Sequence, residues 1–118
     1  RIDLSLAKKV LKDAALGEKK RELGLEGILD VVSHQLHVDP ELILSRSRRP
    51  LAVLARHISM YLMRCYTDRS LRDVGKLFGG KSGATVSFAE KKIVRLKESD
   101  PKMARTLSAI SHRLDNLL

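Results

Sequence analysis

Cysteine occurs once in this chain, at Cys65, and tryptophan not at all; the only aromatic rings are Tyr61, Tyr66, Phe78 and Phe88. A single thiol excludes an internal disulfide and a cysteine-built zinc centre, and makes a reducing, cytoplasmic setting the expected one. So few rings are poor material for the stacking platforms that hold single-stranded nucleic acid. No apolar run has the length of a membrane span, and none has the shape of a secretory signal. No nucleophile–base pair or catalytic carboxylate pair has a convincing spacing, so the chain is not expected to be an enzyme.

What is abundant is positive charge. Lys and Arg number 23 against 14 Asp and Glu, a net +9 in 118 residues. The excess is local: residues 42–98 hold thirteen cations and four acids, which accounts for all of it. Five arginines, Arg46, Arg48, Arg49, Arg56 and Arg64, lie between Glu41 and Asp68 with no acid among them. Arginine suits phosphate and base edges better than lysine does, so this stretch points to a polyanionic partner. Hydrophobic residues make up 43%, enough for one domain with a modest core.

The apolar residues recur with helical spacing. A first helix is expected over about 3–16, with Asp3 as cap and Gly17 as stop, followed by a charged link to Gly24. A second spans Leu25 to about Leu36 with Ile28, Val31 and Val32 inward. Asp39-Pro40 starts a short turn through Leu44. Ser45 to Arg49 forms a basic loop, and Pro50 opens a long helix. There Leu51, Leu54, Ala55, Ile58, Leu62 and Cys65 are expected inward, with Arg49, Arg56 and Arg64 toward the other side. Ser70 and Asp73 have capping-box spacing ahead of a short helix to Phe78. Gly79-Gly80-Lys81-Ser82 breaks it, and a further helix runs from about Gly83 to Ser99. Asp100-Pro101 starts the last, whose inner stripe is Met103, Leu107, Ile110, Leu114 and Leu117.

A short helix, a glycine turn and a longer helix read as a helix-turn-helix at about 70–98, whose second helix enters a major groove by its N-terminal end. The backbone N–H groups around Ser82 to Thr85 and the helix dipole favour phosphate there. Ser87, Lys91 and Arg95 lie on one side, opposite the core stripe.

These segments together resemble the C-terminal DNA-binding domain of the DnaA family of bacterial replication initiators. The resemblance is carried by Leu44-Ser45-Arg46-Ser47-Arg48-Arg49, Leu54-Ala55-Arg56-His57-Ile58-Ser59-Met60-Tyr61-Leu62, Ser70-Leu71-Arg72-Asp73-Val74-Gly75 and Phe78-Gly79-Gly80-Lys81-Ser82-Gly83-Ala84-Thr85-Val86. It covers about residues 25–118 as a DNA-binding domain, while residues 1–24 resemble the end of an ATPase lid helix and a linker. The resemblance implies an all-α, Trp-repressor-like bundle, a C-terminal piece of a longer initiator that binds double-stranded DNA at origin boxes. It also implies a cytoplasmic, nucleoid-associated location. By the same resemblance, ATP and magnesium belong to an upstream ATPase domain, and no cofactor is expected in this chain. Arg48 corresponds to the arginine that enters the minor groove, Arg56 and His57 to the contacts on the long helix, and Arg64 to a phosphate contact. Arg49, Lys81, Ser82, Gly83, Ala84, Thr85, Phe88 and Lys91 complete the implied DNA-binding set.

In one place this sequence departs from the family. The signature Gly-Gly-Arg-Asp-His-Ser/Thr-Thr-Val reads Gly79-Gly80-Lys81-Ser82-Gly83-Ala84-Thr85-Val86 here, and a later family histidine falls on Phe88. The replaced groups are polar readers of bases in the major groove. Phosphate and minor-groove contacts survive that loss better than base specificity does. Two other readings stay open: a helix-turn-helix that has turned to protein interaction, and a targeting module attached to another enzyme such as a transposase. Gly75-x-x-x-x-Gly80-Lys81-Ser82 also matches the P-loop pattern, but lacks the preceding strand such a loop needs. His34 and His37 share a helical face without a third ligand and read as a surface pair, and His112 as exposed.

Overall fold

The computed structural model describes residues 23–118. The expected helix over 3–16 and the lid-like segment lie outside the described residues. Within them, six α-helices follow one another: α1 Leu25–Leu36, α2 Pro40–Leu44, α3 Pro50–Tyr66, α4 Leu71–Leu77, α5 Gly83–Ser99 and α6 Pro101–Asp115.

Local chemistry sets nearly every boundary. α1 ends at His37, whose backbone turns left-handed at φ 58° while its N–H bonds the Ser33 carbonyl. Proline stands first in α2, α3 and α6, where a missing N–H costs nothing. Side chains cap four helices: Asp39 accepts from the Glu41 N–H at 2.9 Å, Ser70 from Asp73 at 3.1 Å, Ser82 from Thr85 at 3.1 Å, and Asp100 from Lys102 at 3.0 Å. Asp100 also closes α5, its own N–H bonding the Leu96 carbonyl at 2.8 Å. One residue thus turns the chain from α5 into α6.

Helix α3 is the axle of the bundle. Ala55, Ile58, Met60, Leu62 and Met63 are buried along it, and α1, α2, α4 and α5 all pack against it. α6 closes the far side over α1 and α5 through Leu107, Ile110 and Leu114. Val74, Phe78, Val86, Ala89 and Ile93 join the helix-turn-helix to the same core. Ser59, buried within α3, satisfies its hydroxyl by donating to the Ala55 carbonyl at 2.8 Å. No helix among the described residues is long and apolar enough to cross a membrane.

Four expected side-chain placements are corrected. Leu51 is 47% exposed, because the side of the first turn of α3 that the other elements cover is the one carrying Ala52, which is 2% exposed. Cys65 is exposed at the other end of α3 rather than inward. Leu117 is 48% exposed, since α6 stops at Asp115 and the inner stripe stops with it. Arg56, placed by periodicity on the outer side of α3, is buried.

Candidate nucleic-acid interface

The basic loop is braced by its own serines. Ser45 Oγ donates to the Leu42 carbonyl at 2.8 Å and accepts the Ser47 N–H at 3.0 Å. Ser47 Oγ in turn accepts the Arg49 N–H at 3.3 Å. Such hydroxyl-to-backbone turns hold an irregular segment without help from a ladder. The result is a shaped loop from which Arg46, Arg48 and Arg49 all stand exposed.

Arg56 supports that loop from beneath. Its Nε–H donates to the Ile43 carbonyl at 2.8 Å and its Nη2 to the Leu42 carbonyl at 3.1 Å. Only 7% of the residue is exposed, and burial lowers its pKa. The guanidinium fork supplies a donor to the Ile43 carbonyl at the end of α2 and adds one to the Leu42 carbonyl, which also accepts from the Ser45 N–H and hydroxyl. Arg56 therefore enters the site as an internal brace. Arg64 is also engaged, through an ion pair to Glu90 at 3.2 Å that joins α3 to α5 and a bond to the Arg69 carbonyl at 2.8 Å.

The elbow between α4 and α5 is built on three glycines. Gly75 lies inside α4, and a Cβ added there would stand 2.1 Å from the Lys81 carbonyl oxygen. The Gly75 carbonyl accepts the Lys81 N–H at 2.9 Å, so the turn folds back onto the helix it leaves. Gly79 and Gly80 have φ of 87° and 75°, the left-handed region that L side chains avoid. The Leu44 carbonyl comes within ordinary contact of the Gly79 Cβ position, at 3.8 Å. The elbow therefore adjoins the root of the basic loop.

At the start of α5, the Ser82 carbonyl and hydroxyl satisfy the Thr85 N–H, and the same carbonyl takes that of Val86. The Ser82 and Thr85 hydroxyls also lie 3.1 Å apart in a mutual hydrogen bond. That leaves the amides of Gly83 and Ala84 as the uncapped donors at the positive end of the helix. Ala84, Phe88, Lys91 and Arg95 follow at spacings of three and four along the outer face, all exposed. Phe88 is 55% exposed. Its ring meets that of His57 edge-on, with centroids 6.0 Å apart and planes at 78°, and Lys92 Nζ lies 6.0 Å over it. Burial first, then the charges of Lys92 and Arg56, push the His57 imidazole below its ordinary pKa, so the ring is neutral at pH 7.

One chain of contacts links the two halves of the site: the serine-braced loop and Arg56 share the Leu42 carbonyl at the end of α2, the neighbour of Arg56, His57, meets Phe88, and Phe88 stands on the outer face of α5. Of the residues singled out in the sequence, Arg48, Arg49, Lys81, Ser82, Gly83, Ala84, Thr85, Phe88 and Lys91 lie on the loop, the elbow or the first three turns of α5. Ser45, Ser47, Glu90 and Lys92 were not singled out. The two serines had a visible signal, since a hydroxyl every second residue in a basic loop is the pattern of successive Ser turns.

A short capped helix, a glycine elbow and a longer capped helix with a basic outer face define a protein of the helix-turn-helix class. The family model of the bacterial dnaA protein helix-turn-helix matches residues 25–93. Among related proteins, the chromosomal replication initiator protein DnaA of Synechocystis sp. is 41% identical over 90 residues, covering 76% of this chain and 20% of that protein. Its counterpart in Enterococcus faecalis is 37% identical over 115 residues, covering 98% and 26%. In Gloeobacter violaceus it is 42% identical over 94 residues, covering 80% and 21%. The chain belongs to the bacterial DnaA family. It spans a fifth to a quarter of the length of the curated relatives it matches.

Proposed function

We propose that this chain binds double-stranded DNA as the C-terminal domain of a chromosomal replication initiator, at origin boxes. In this reading Arg48 enters a minor groove from the serine-braced loop while the N-terminal turns of α5 lie in the adjacent major groove. Arg49, Arg64, Lys81 and Lys91 neutralise phosphates, and the amides of Gly83 and Ala84 cap one more. The observation that carries the reading is the continuity of the surface. Three exposed loop arginines and the outer face of α5 are fixed relative to each other through Arg56, His57 and the elbow.

ATP and magnesium are proposed to act in an upstream ATPase domain. The residues of the P-loop-like segment do not fit a nucleotide. Gly75 is helical, and the Lys81 carbonyl closes the space beside it that a phosphate would need.

Fluorescence anisotropy of a labelled duplex, titrated from low to physiological salt, tests the reading. With about five or six phosphates neutralised, log K falls against log salt with a slope near minus five. Absence of duplex binding at the lowest salt overturns it in favour of a protein partner.

A further inference from the structure

Large exposed side chains on a groove-facing helix are usually polar, because base edges in the major groove are mostly hydrogen-bonding atoms. Here the outer face of α5 presents a small apolar patch in that position: the methyl of Ala84 and, one turn on, the ring of Phe88. The ring is not loose. His57 holds its edge from α3 and Lys92 lies over it from the next turn of α5, so its orientation is settled before any partner arrives. Lys91 and Arg95 flank it with exposed positive charge.

A phenyl ring and a methyl group offer no hydrogen bond. Set against guanine, adenine or cytosine, they would strip water from N7, O6, N6 or N4 and return nothing, which is a penalty. Only the C5-methyl of a pyrimidine gives such a surface an apolar partner in the major groove. Discrimination then comes as much from the groups that are penalised as from the one that is welcomed. We propose that Phe88 and Ala84 form a subsite for a pyrimidine C5-methyl group, so that this domain selects thymine by its methyl where its relatives use polar side chains. The inference rests on the DNA-binding reading above.

The test starts from the tightest duplex recovered from a random pool. Each thymine is replaced singly by deoxyuridine, which removes the methyl and nothing else, and affinity is read at one fixed salt. One or two positions should each lose about fourfold, the worth of one buried methyl group. Phe88→Ala should abolish that difference while leaving the salt slope unchanged. Converting uracil at the sensitive position to 5-methylcytosine, with guanine opposite, should recover part of the affinity that plain cytosine loses. Phe88 lies outside the core, so Phe88→Ala lowers the melting temperature only by the few degrees that its contact with His57 contributes, and Phe88→Leu, still apolar, retains part of the methyl dependence. Tight duplex binding indifferent to every methyl overturns this inference and spares the DNA-binding reading. A failure to bind any duplex overturns both.

Discussion

The guanidinium of Arg56 and the carbonyl of Ile43 are joined at 2.8 Å across thirteen positions of sequence, inside the domain. That bond places an arginine of the basic region among the elements that shape the interface. Arg56→Met strips the donor from the buried Ile43 carbonyl, while the Leu42 carbonyl keeps its bonds from Ser45, and should cost about 1–3 kcal/mol in urea unfolding. Arg56→Lys keeps the charge but loses the fork, and should recover less than half of that loss. A double-mutant cycle with Arg48→Ala then reads out the brace. If Arg56 acts on DNA by holding the loop, the two losses of affinity are clearly less than additive. Full additivity would mean that the two arginines act on DNA separately.

Gly75 and Gly83 should respond in opposite ways to the same substitution. Gly75→Ala drives a methyl to 2.1 Å from a backbone oxygen that the elbow cannot move, and should destabilise the domain by about 3 kcal/mol or more. Gly83→Ala meets only ordinary contacts, the nearest being Leu71 Cβ at 3.4 Å, and should be neutral or slightly stabilising, by up to about 1 kcal/mol. Thermal melts of the two variants check the contrast.

His57 supplies a pH dependence of known sign. Its pKa is depressed in the folded chain below the ordinary 6.5, chiefly by burial and then by Lys92 and Arg56. The unfolded state therefore binds the proton more tightly. The stability that His57 contributes is complete above pH 6.5 and is lost as pH falls through the folded value. Melting temperatures followed from pH 7.5 to pH 5 should decline for the wild type and decline less for His57→Gln.

Restoring the family's polar groups should add selectivity. Ser82→Asp keeps a capping oxygen, Gly83→His has room for its Cβ, and Ala84→Thr sits on an exposed face. The triple variant should prefer the family's box over a scrambled duplex by about tenfold to a hundredfold more than the wild type does, with nonspecific affinity little changed. A wild type that already discriminates a hundredfold would place its specificity in Arg48, His57 and DNA shape.

Helix order was legible in the sequence because its signals are local. Asp39-Pro40, Ser70 and Asp100-Pro101 mark helix starts within three residues, and each of the three caps its helix, as Ser82 also does. The glycine elbow was equally plain, since two adjacent glycines between amphipathic segments leave few other conformations. The misplacements come from information that periodicity does not carry. A helical wheel places Arg56 on the outer side of α3, and it cannot see the Ile43 carbonyl at the end of α2 that takes its donor from that arginine. It runs the apolar stripe of α3 from Leu51 to Cys65, although toward the two ends of the helix the buried positions are Ala52 and Met63. The pairing of His57 with Phe88 joins two helices and was invisible until both were placed.

An elbow made of left-handed glycines and a backbone-to-backbone bond takes much of its shape from main-chain atoms, and buried side chains hold the helix that leaves it. The angle at which α5 leaves it is set there and by Val86, Ala89 and Ile93 in the core, not by the exposed side chains at 84 and 88. Aim and vocabulary are carried by different atoms. Such a separation allows the favoured DNA sequence to drift, or to be redesigned, one residue at a time at the tip of α5 while the tool that presents it stays unaltered.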